Sequence, residues 1–194
     1  QTDTVTRALA LPLVVDVTGS GSKPVAGARV AFSVKTGSGT FGALAVDTIT
    51  TDTLGHAQVP FTLGAVAGTD SVLAKTVVGG FTVTFAETAV PGAPSTIAIV
   101  SGNAQSDTAK GTLPLPLVVK VTDAQNNPVN AARVIWNVPT GTGTFGGLTV
   151  DTVATAANGQ ASVSFTLGAS AGTDTLRATI QCTAAFVNSS ATGT

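Results

Sequence analysis

The chain has 194 residues and a formal net charge of −1, with 43% hydrophobic but only 10% charged residues. Such a balanced, charge-poor surface offers no electrostatic footprint for nucleic acid or for an anionic membrane. One His and one Cys give neither a zinc ligand set nor a cysteine–histidine nucleophile with a residue to spare.

The predicted elements are all strands. No capped run of 3.6-residue period appears, and β-branched residues dominate short alternating stretches bounded by Gly, Pro, Asn and Asp. The first half predicts strands near 11–18, 28–36, 46–52, 56–63, 69–77 and 80–86. Alternation assigns their faces. Val30, Phe32 and Val34 point inward, and Arg29, Ser33 and Lys35 outward. Ala57, Val59, Phe61 and Leu63 form a second inward set, with His56, Gln58 and Pro60 outward. Strands every ten or so residues with turns between them predict an all-β antiparallel sandwich. No apolar stretch reaches the ~18–20 residues that span a bilayer. Pro12 and Asp16 interrupt the longest, Leu9 to Val17.

The pattern then repeats. Leu11-Pro12-Leu13-Val14-Val15 returns as Leu115-Pro116-Leu117-Val118-Val119, a shift of 104 residues. The same shift carries Gly39-Thr40-Phe41-Gly42 onto Gly143-Thr144-Phe145-Gly146, and Ala67-Gly68-Thr69-Asp70 onto Ala171-Gly172-Thr173-Asp174. The register holds to about Thr76. Beyond it, repeat two reads as about three residues shorter, which matches Phe85 to Phe186. Ala89-Val90-Pro91-Gly92-Ala93-Pro94 reads as a short, stiff connector. Two domains are expected, 1–91 and 92–194.

The two copies differ at their starts. Repeat two has Pro94-Ser95-Thr96-Ile97-Ala98-Ile99-Val100-Ser101-Gly102 ahead of Gln105, which reads as a first strand. Repeat one aligns from Gln1 onto Gln105, so it lacks such a strand in this chain. Its expected result is an unpaired edge and an open apolar seam at Leu13, Val15 and Val17. Either the chain is cut from a longer array, or another molecule donates the strand by β-addition. Ile97, Ile99 and Val100 are the donor-type residues in that case. The polar tail Asn188 to Thr194 aligns with the connector and is a poor donor.

The ordered series Leu13–Thr18, Pro24–Phe32, Val46–Thr51, Gly55–Leu63 and Gly68–Ala74, present twice, resembles the bacterial immunoglobulin-like group 1 domains. The resemblance implies tandem Ig-like β-sandwiches, as in the stalks of intimin- and invasin-type adhesins and related secreted surface proteins. It implies a non-enzymatic extracellular spacer or filament subunit, with itself or a longer Ig-like array as partner. The alternative is an adhesin-type module that recognises a glycan or a host protein. The start at Gln1 fits a processed or excised chain. Abundant Thr, few charges and near-absence of Cys suit a secreted bacterial protein.

Candidate chemistry is sparse, and no catalytic, cofactor or metal residues are assigned. His56 has Gln160 as its counterpart and reads as an exposed strand residue. Cys182 reads as a buried small hydrophobe, and Trp136, in the place of Phe32, as a core aromatic. Asp3/Asp107, Asp47/Asp151 and Asp70/Asp174 recur, with Asp52 unpaired. They lie on different turns and read as turn and edge residues, not as a calcium loop. Arg29 and Arg133 are candidates to pair with one of them. Gly37-Ser38-Gly39 and Gly141-Thr142-Gly143 read as flexible turns. Asn188-Ser189-Ser190 is a weak sequon.

Overall fold

The alternating Val and Thr runs form fifteen strands and no α-helix in the computed structural model, which describes residues 1–181 and 183–194. The expected packing of Cys182 lies outside the described residues. The chain divides into two compact units, Gln1–Pro91 and Gly92–Thr194.

Domain 1 holds β1 (Thr2–Thr4), β2 (Leu13–Asp16), β3 (Arg29–Thr36), β4 (Val46–Thr50), β5 (His56–Val59), β6 (Gly68–Thr76) and β7 (Thr82–Val90). One sheet has the order β1-β7-β6-β3-β4, and the second is the pair β2-β5. Domain 2 holds β8 (Thr96–Ser101), β9 (Gln105–Asp107), β10 (Leu117–Thr122), β11 (Arg133–Thr140), β12 (Val150–Ala154), β13 (Gln160–Val163), β14 (Gly172–Ile180) and β15 (Phe186–Gly193). Its sheets run β12-β11-β14-β15-β9 and β13-β10-β8. Each domain is thus an all-β, Ig-like sandwich.

The six strands expected in repeat one all form, with shifted ends. β5 stops at Val59 because Pro60 has no N–H to continue the ladder. β7 runs on to Val90, so Ala89 and Val90 belong to the sheet and not to the connector. The parallel strands β1 and β9 were not foreseen. Three polar residues are too few to show a period, and only pairing with β7 or β15 makes them strands.

Two alignment expectations are corrected. Val72 pairs with Phe85, and Leu176 pairs with Ser189. The 104-residue shift therefore continues to the end of the sheet, and Phe186 is the counterpart of Thr82. The two rings do different work. Phe85 packs against the domain 1 core, whereas Phe186 lies on the surface beneath the Arg177 guanidinium, 4.7 Å from its ring centre. The polar tail is likewise no connector: Asn188 to Gly193 is the body of β15. Ser189, Ala191 and Gly193 are its small inward residues.

The cores are built alike. Phe32, Phe41 and Phe61 form a tilted stack with centroid separations of 6.3 and 5.2 Å. Trp136, Phe145 and Phe165 repeat it at 6.3 and 5.1 Å. Ala57, Val59, Phe61 and Leu63 are all buried, as alternation requires. Each large apolar side chain so buried contributes roughly 1.5–3 kcal/mol.

Buried polar residues lock the loops. Asp70 is 2% exposed. Its Oδ1 accepts the backbone N–H groups of Ser38 at 2.9 Å and Gly39 at 3.0 Å, and its Oδ2 accepts that of Gly64 at 2.7 Å. Asp174 does the same with Thr142, Gly143 and Gly168. The glycine turns are therefore held by a buried carboxylate. Gly37 has φ +87°, and a Cβ there would lie 1.8 Å from Asp70 Oδ1. A Cβ on Gly39 would lie 2.2 Å from the Phe61 ring. Thr51 Oγ1 donates to Val25 O and accepts from Ala28 N, and Thr155 repeats this between Val129 and Ala132.

Candidate functional site

β2 and β10 are the same strand in the two domains, yet one side of each meets a different environment. β10 lies between β13 and β8. Among the described residues, β2 pairs with β5 and with no other strand. Val17 donates its N–H to Gly55 O at 2.8 Å, on the β5 side. Alternation then turns the N–H groups of Val14 and Asp16 toward the open side.

In domain 2 that side is filled. Val119 lies opposite Ile99, and Val121 opposite Ile97. Ile97 packs on the domain 2 core. Val119 and Val121 are 1% and 0% exposed, whereas their counterparts Val15 and Val17 are only half-buried. A groove of about 170 Å³ opens beside them, floored by Val30 and Ala74 and flanked by Phe81 and Val83. In domain 2 the overlapping space beside Ile99, Val119, Ala178 and Val187 is too small to admit a water molecule.

The individual seam and strand residues divide. Leu13 is 2% exposed and is sealed by its own domain, so Val15 and Val17 are the accessible part of the seam. Ile97 and Ile99 face inward in domain 2. Val100 does not: the pairing slips between Val118↔Ser101 and Val119↔Ile99, so Val100 is an extra residue in a bulge and is 48% exposed.

The apolar surface extends past the groove. Val78 is 87% and Phe81 76% exposed, and Val77 and Val83 are exposed too. A second groove shares Val17, Thr76 and Phe81 with the first. Domain 2 carries Gln181 and Ala185 where domain 1 has Val77 and Phe81. A contiguous apolar patch beside an unpaired edge is suited to taking up an extended, partly apolar chain through backbone hydrogen bonds.

β2 carries one charge to guard its edge, and that charge is engaged. Asp16 stands opposite His56 in the β2–β5 register, with Oδ1 2.5 Å from His56 Nδ1. This hydrogen bond raises the His56 pKa above the ordinary histidine value. The His56 N–H in turn helps hold the Asp52 carboxyl below the usual range. Both partners of the Asp16–His56 pair are exposed, and domain 2 has Lys120 and Gln160 there. The pair is a surface feature of one domain.

The remaining candidates are dispersed. Asp3, Asp47, Asp107 and Asp151 each accept the N–H of the following Thr. Neither Arg29 nor Arg133 joins an ion pair among the described residues. Asn188 accepts the Nε–H of Arg177. Trp136 is 1% exposed, in the core. Among the described residues no group of three or more His, Cys, Asp or Glu is placed to hold a metal.

One buried acid escaped the sequence reading. Asp123, 1% exposed, accepts the N–H of Gly92 in the connector at 2.8 Å, and those of Gln125 and Asn127. Burial pushes its pKa up, and the hydrogen bonds from Asn127, Gly92 and Gln125 outweigh this and hold it below the usual carboxylate range. Its counterpart is Gly19. The only signal was an Asp three residues before the Asn126-Asn127-Pro128 turn.

No family model and no curated protein matches the chain. Solved structures do. The chain is similar to Yersinia pseudotuberculosis InvD, with 18% identity over 93% of this chain and 51% of that one and a TM-score of 0.59. It is also similar to FdeC, described as an Escherichia coli adhesin, with 18% identity over 99% of this chain and 62% of that one and a TM-score of 0.50. The chain thus spans about half to three-fifths of those two structures. These neighbours are of the bacterial Ig-like type that the repeated motifs resemble, and the likeness establishes an all-β, Ig-like sandwich fold for the chain.

Proposed function

We propose that the chain is a non-enzymatic structural module of a bacterial cell surface. It acts as a spacer or subunit in a stalk or filament built from Ig-like domains, and domain 1 is completed by a strand from elsewhere in that assembly. The observation that carries this reading is the difference between the seams: β10 is covered by β8, while Val15 on β2 and Val17 just after it are not. The recurring buried polar residues support it as well. Asp70, Asp174, Thr51 and Thr155 all hold backbone groups of their own domain. Thr takes strand faces where other surface domains carry Lys and Glu, and the low charge leaves edge-to-edge association unopposed.

The test is antibody labelling of intact producing cells with serum raised against this chain. Gold particles on unpermeabilised cells, standing off from the envelope, are the expected result. Labelling that requires permeabilisation overturns the proposal.

A further inference from the structure

We infer that four Asp-Thr dipeptides, Asp3-Thr4, Asp47-Thr48, Asp107-Thr108 and Asp151-Thr152, are locks that keep the five-stranded sheets from pairing edge to edge with a second copy of the chain. Strand register carries this independently of the structural-module reading above, and adds to that reading where an assembly cannot form.

The placement is the same at all four outer edges. β1 and β4 flank the five-stranded sheet of domain 1, and β9 and β12 that of domain 2. Each of these strands carries one Asp and no Glu, Lys, Arg or Pro. Ten acids serve the whole chain, and four of them stand here.

Register decides which amides point outward. Beside β4, Thr51 donates its N–H to Ala28 O and Val34 donates to Ala45 O. Alternation then turns the Asp47 N–H toward β3 and the Thr48 N–H to the open side. Asp47 Oδ1 accepts that open N–H at 2.7 Å. In domain 2, Thr155 donates to Ala132 O, which sets the same phase in β12. The outward N–H of Thr152 is taken by Asp151 Oδ1 at 2.7 Å. On the opposite edge, Thr88 donates to Gln1 O and Val5 donates to Val90 O, so Thr4 points away from β7. Asp3 Oδ1 accepts its N–H at 2.7 Å. Thr194 donates to Asp107 O and Ala109 donates to Thr194 O, so Thr108, just after β9, points away from β15. Asp107 Oδ1 accepts its N–H at 2.7 Å.

The carboxylates guard the edges in a second way. Asp47 lies opposite Phe32, Asp151 opposite Trp136, Asp3 opposite Ala89 and Asp107 opposite Gly193, and all four partners are buried. Residues directly opposite on neighbouring strands share a face. Each acid therefore sits on the core-facing side of an outermost strand. A further strand would have to break the Asp–Thr hydrogen bond to reach the amide, and would bury a carboxylate beside its own inward side chains. The smaller sheets lack this device. β5, β8 and β13 contain no acid, and Asp16 on β2 is bonded to His56. Scarce charge thus leaves the small-sheet edges open while the large ones are closed.

The experiment replaces all four Asp by Ala in the full chain and compares sedimentation with the parent. The expected result is a shift to dimers and larger species with the buried-Trp136 fluorescence retained, and slowed amide exchange at Thr48 and Thr152 in the associated form. A folded variant with the parent's mass overturns the inference. So does association that leaves the Thr48 and Thr152 amides exchanging fast, because the contact then lies elsewhere. Should the Ala variant not fold, amide exchange in the unsubstituted chain decides. Thr48 and Thr152 should exchange more slowly than Thr50 and Ala154, whose outward amides on the same strands have no preceding Asp. Equal rates overturn the inference. An unchanged mass leaves the surface-labelling result intact, and intracellular labelling leaves the sedimentation result intact.

Discussion

Ile97 lies opposite Val121 and seals it from solvent, while Val17, the equivalent of Val121, has no strand opposite it among the described residues. The two domains share sheet order, the aromatic stack and the hydrogen bonds of Asp70/Asp174 and Thr51/Thr155. Domain 2 thus serves as an internal reference for what domain 1 lacks.

Removing the seal should reproduce the domain 1 groove in domain 2. Ile97→Ala is expected to destabilise domain 2 by roughly 1–3 kcal/mol, the lower part of the range for deleting a large aliphatic because Ile97 is half-buried. Urea unfolding followed by Trp136 fluorescence reads domain 2 alone, since Trp136 is the sole Trp. An unshifted midpoint contradicts the seal.

Asp174→Ala should cost domain 2 at least about 2 kcal/mol. It strands three backbone N–H groups, of Thr142, Gly143 and Gly168, and each buried donor left without a partner costs about 1–3 kcal/mol. Asp70→Ala should do the same to domain 1. Gly141→Ala should also be costly, because its Cβ would lie 1.8 Å from Asp174 Oδ1 at a φ of +103°. Calorimetry of the three variants decides. A flexible-turn role would leave Gly141→Ala neutral.

Asp123 ties stability to acid. Its folded pKa is below the unfolded value of about 4. The stability it contributes is present above pH 4 and is lost as pH falls through 4 and then through the lower folded value. Domain 2 should therefore soften on acidification, and Asp123→Asn should flatten that part of its pH profile. Denaturation midpoints between pH 6 and 2 make the comparison. Equal slopes in the two proteins contradict the assignment.

His56 behaves in the opposite sense. Its folded pKa is raised by the hydrogen bond to Asp16. Any stability from the pair is present below the unfolded value of about 6.5 and fades as pH rises through the folded one. In an NMR titration His56 should lose its proton above pH 6.5, and Asp16→Asn should bring the midpoint back toward that value. A midpoint indifferent to Asp16→Asn means the contact does not form in solution.

The sheet strands of both domains could be read from alternation. Val30, Phe32, Ala57, Val59 and Phe61 are buried where a period of two puts them. β1 and β9 could not be read, because three polar residues become a strand only through a long-range parallel pairing. The role of Asp70 was half visible. Its recurrence marked it, but two of its three N–H partners, Ser38 and Gly39, lie in a loop 32 and 31 residues earlier, and the third, Gly64, six residues earlier. An expectation for the seam could be framed from sequence because the second copy served as a control for the first. The bulge that turns Val100 outward was not, since Ile-Val reads alike with or without it.

The measurement that bears most directly on the open edge is amide hydrogen exchange in the unmodified chain, comparing Asp16 with its counterpart Lys120. The account predicts fast exchange at Asp16, whose N–H faces the empty side of β2, and slow exchange at Lys120, whose N–H faces β8. Equal protection of the two amides would contradict it.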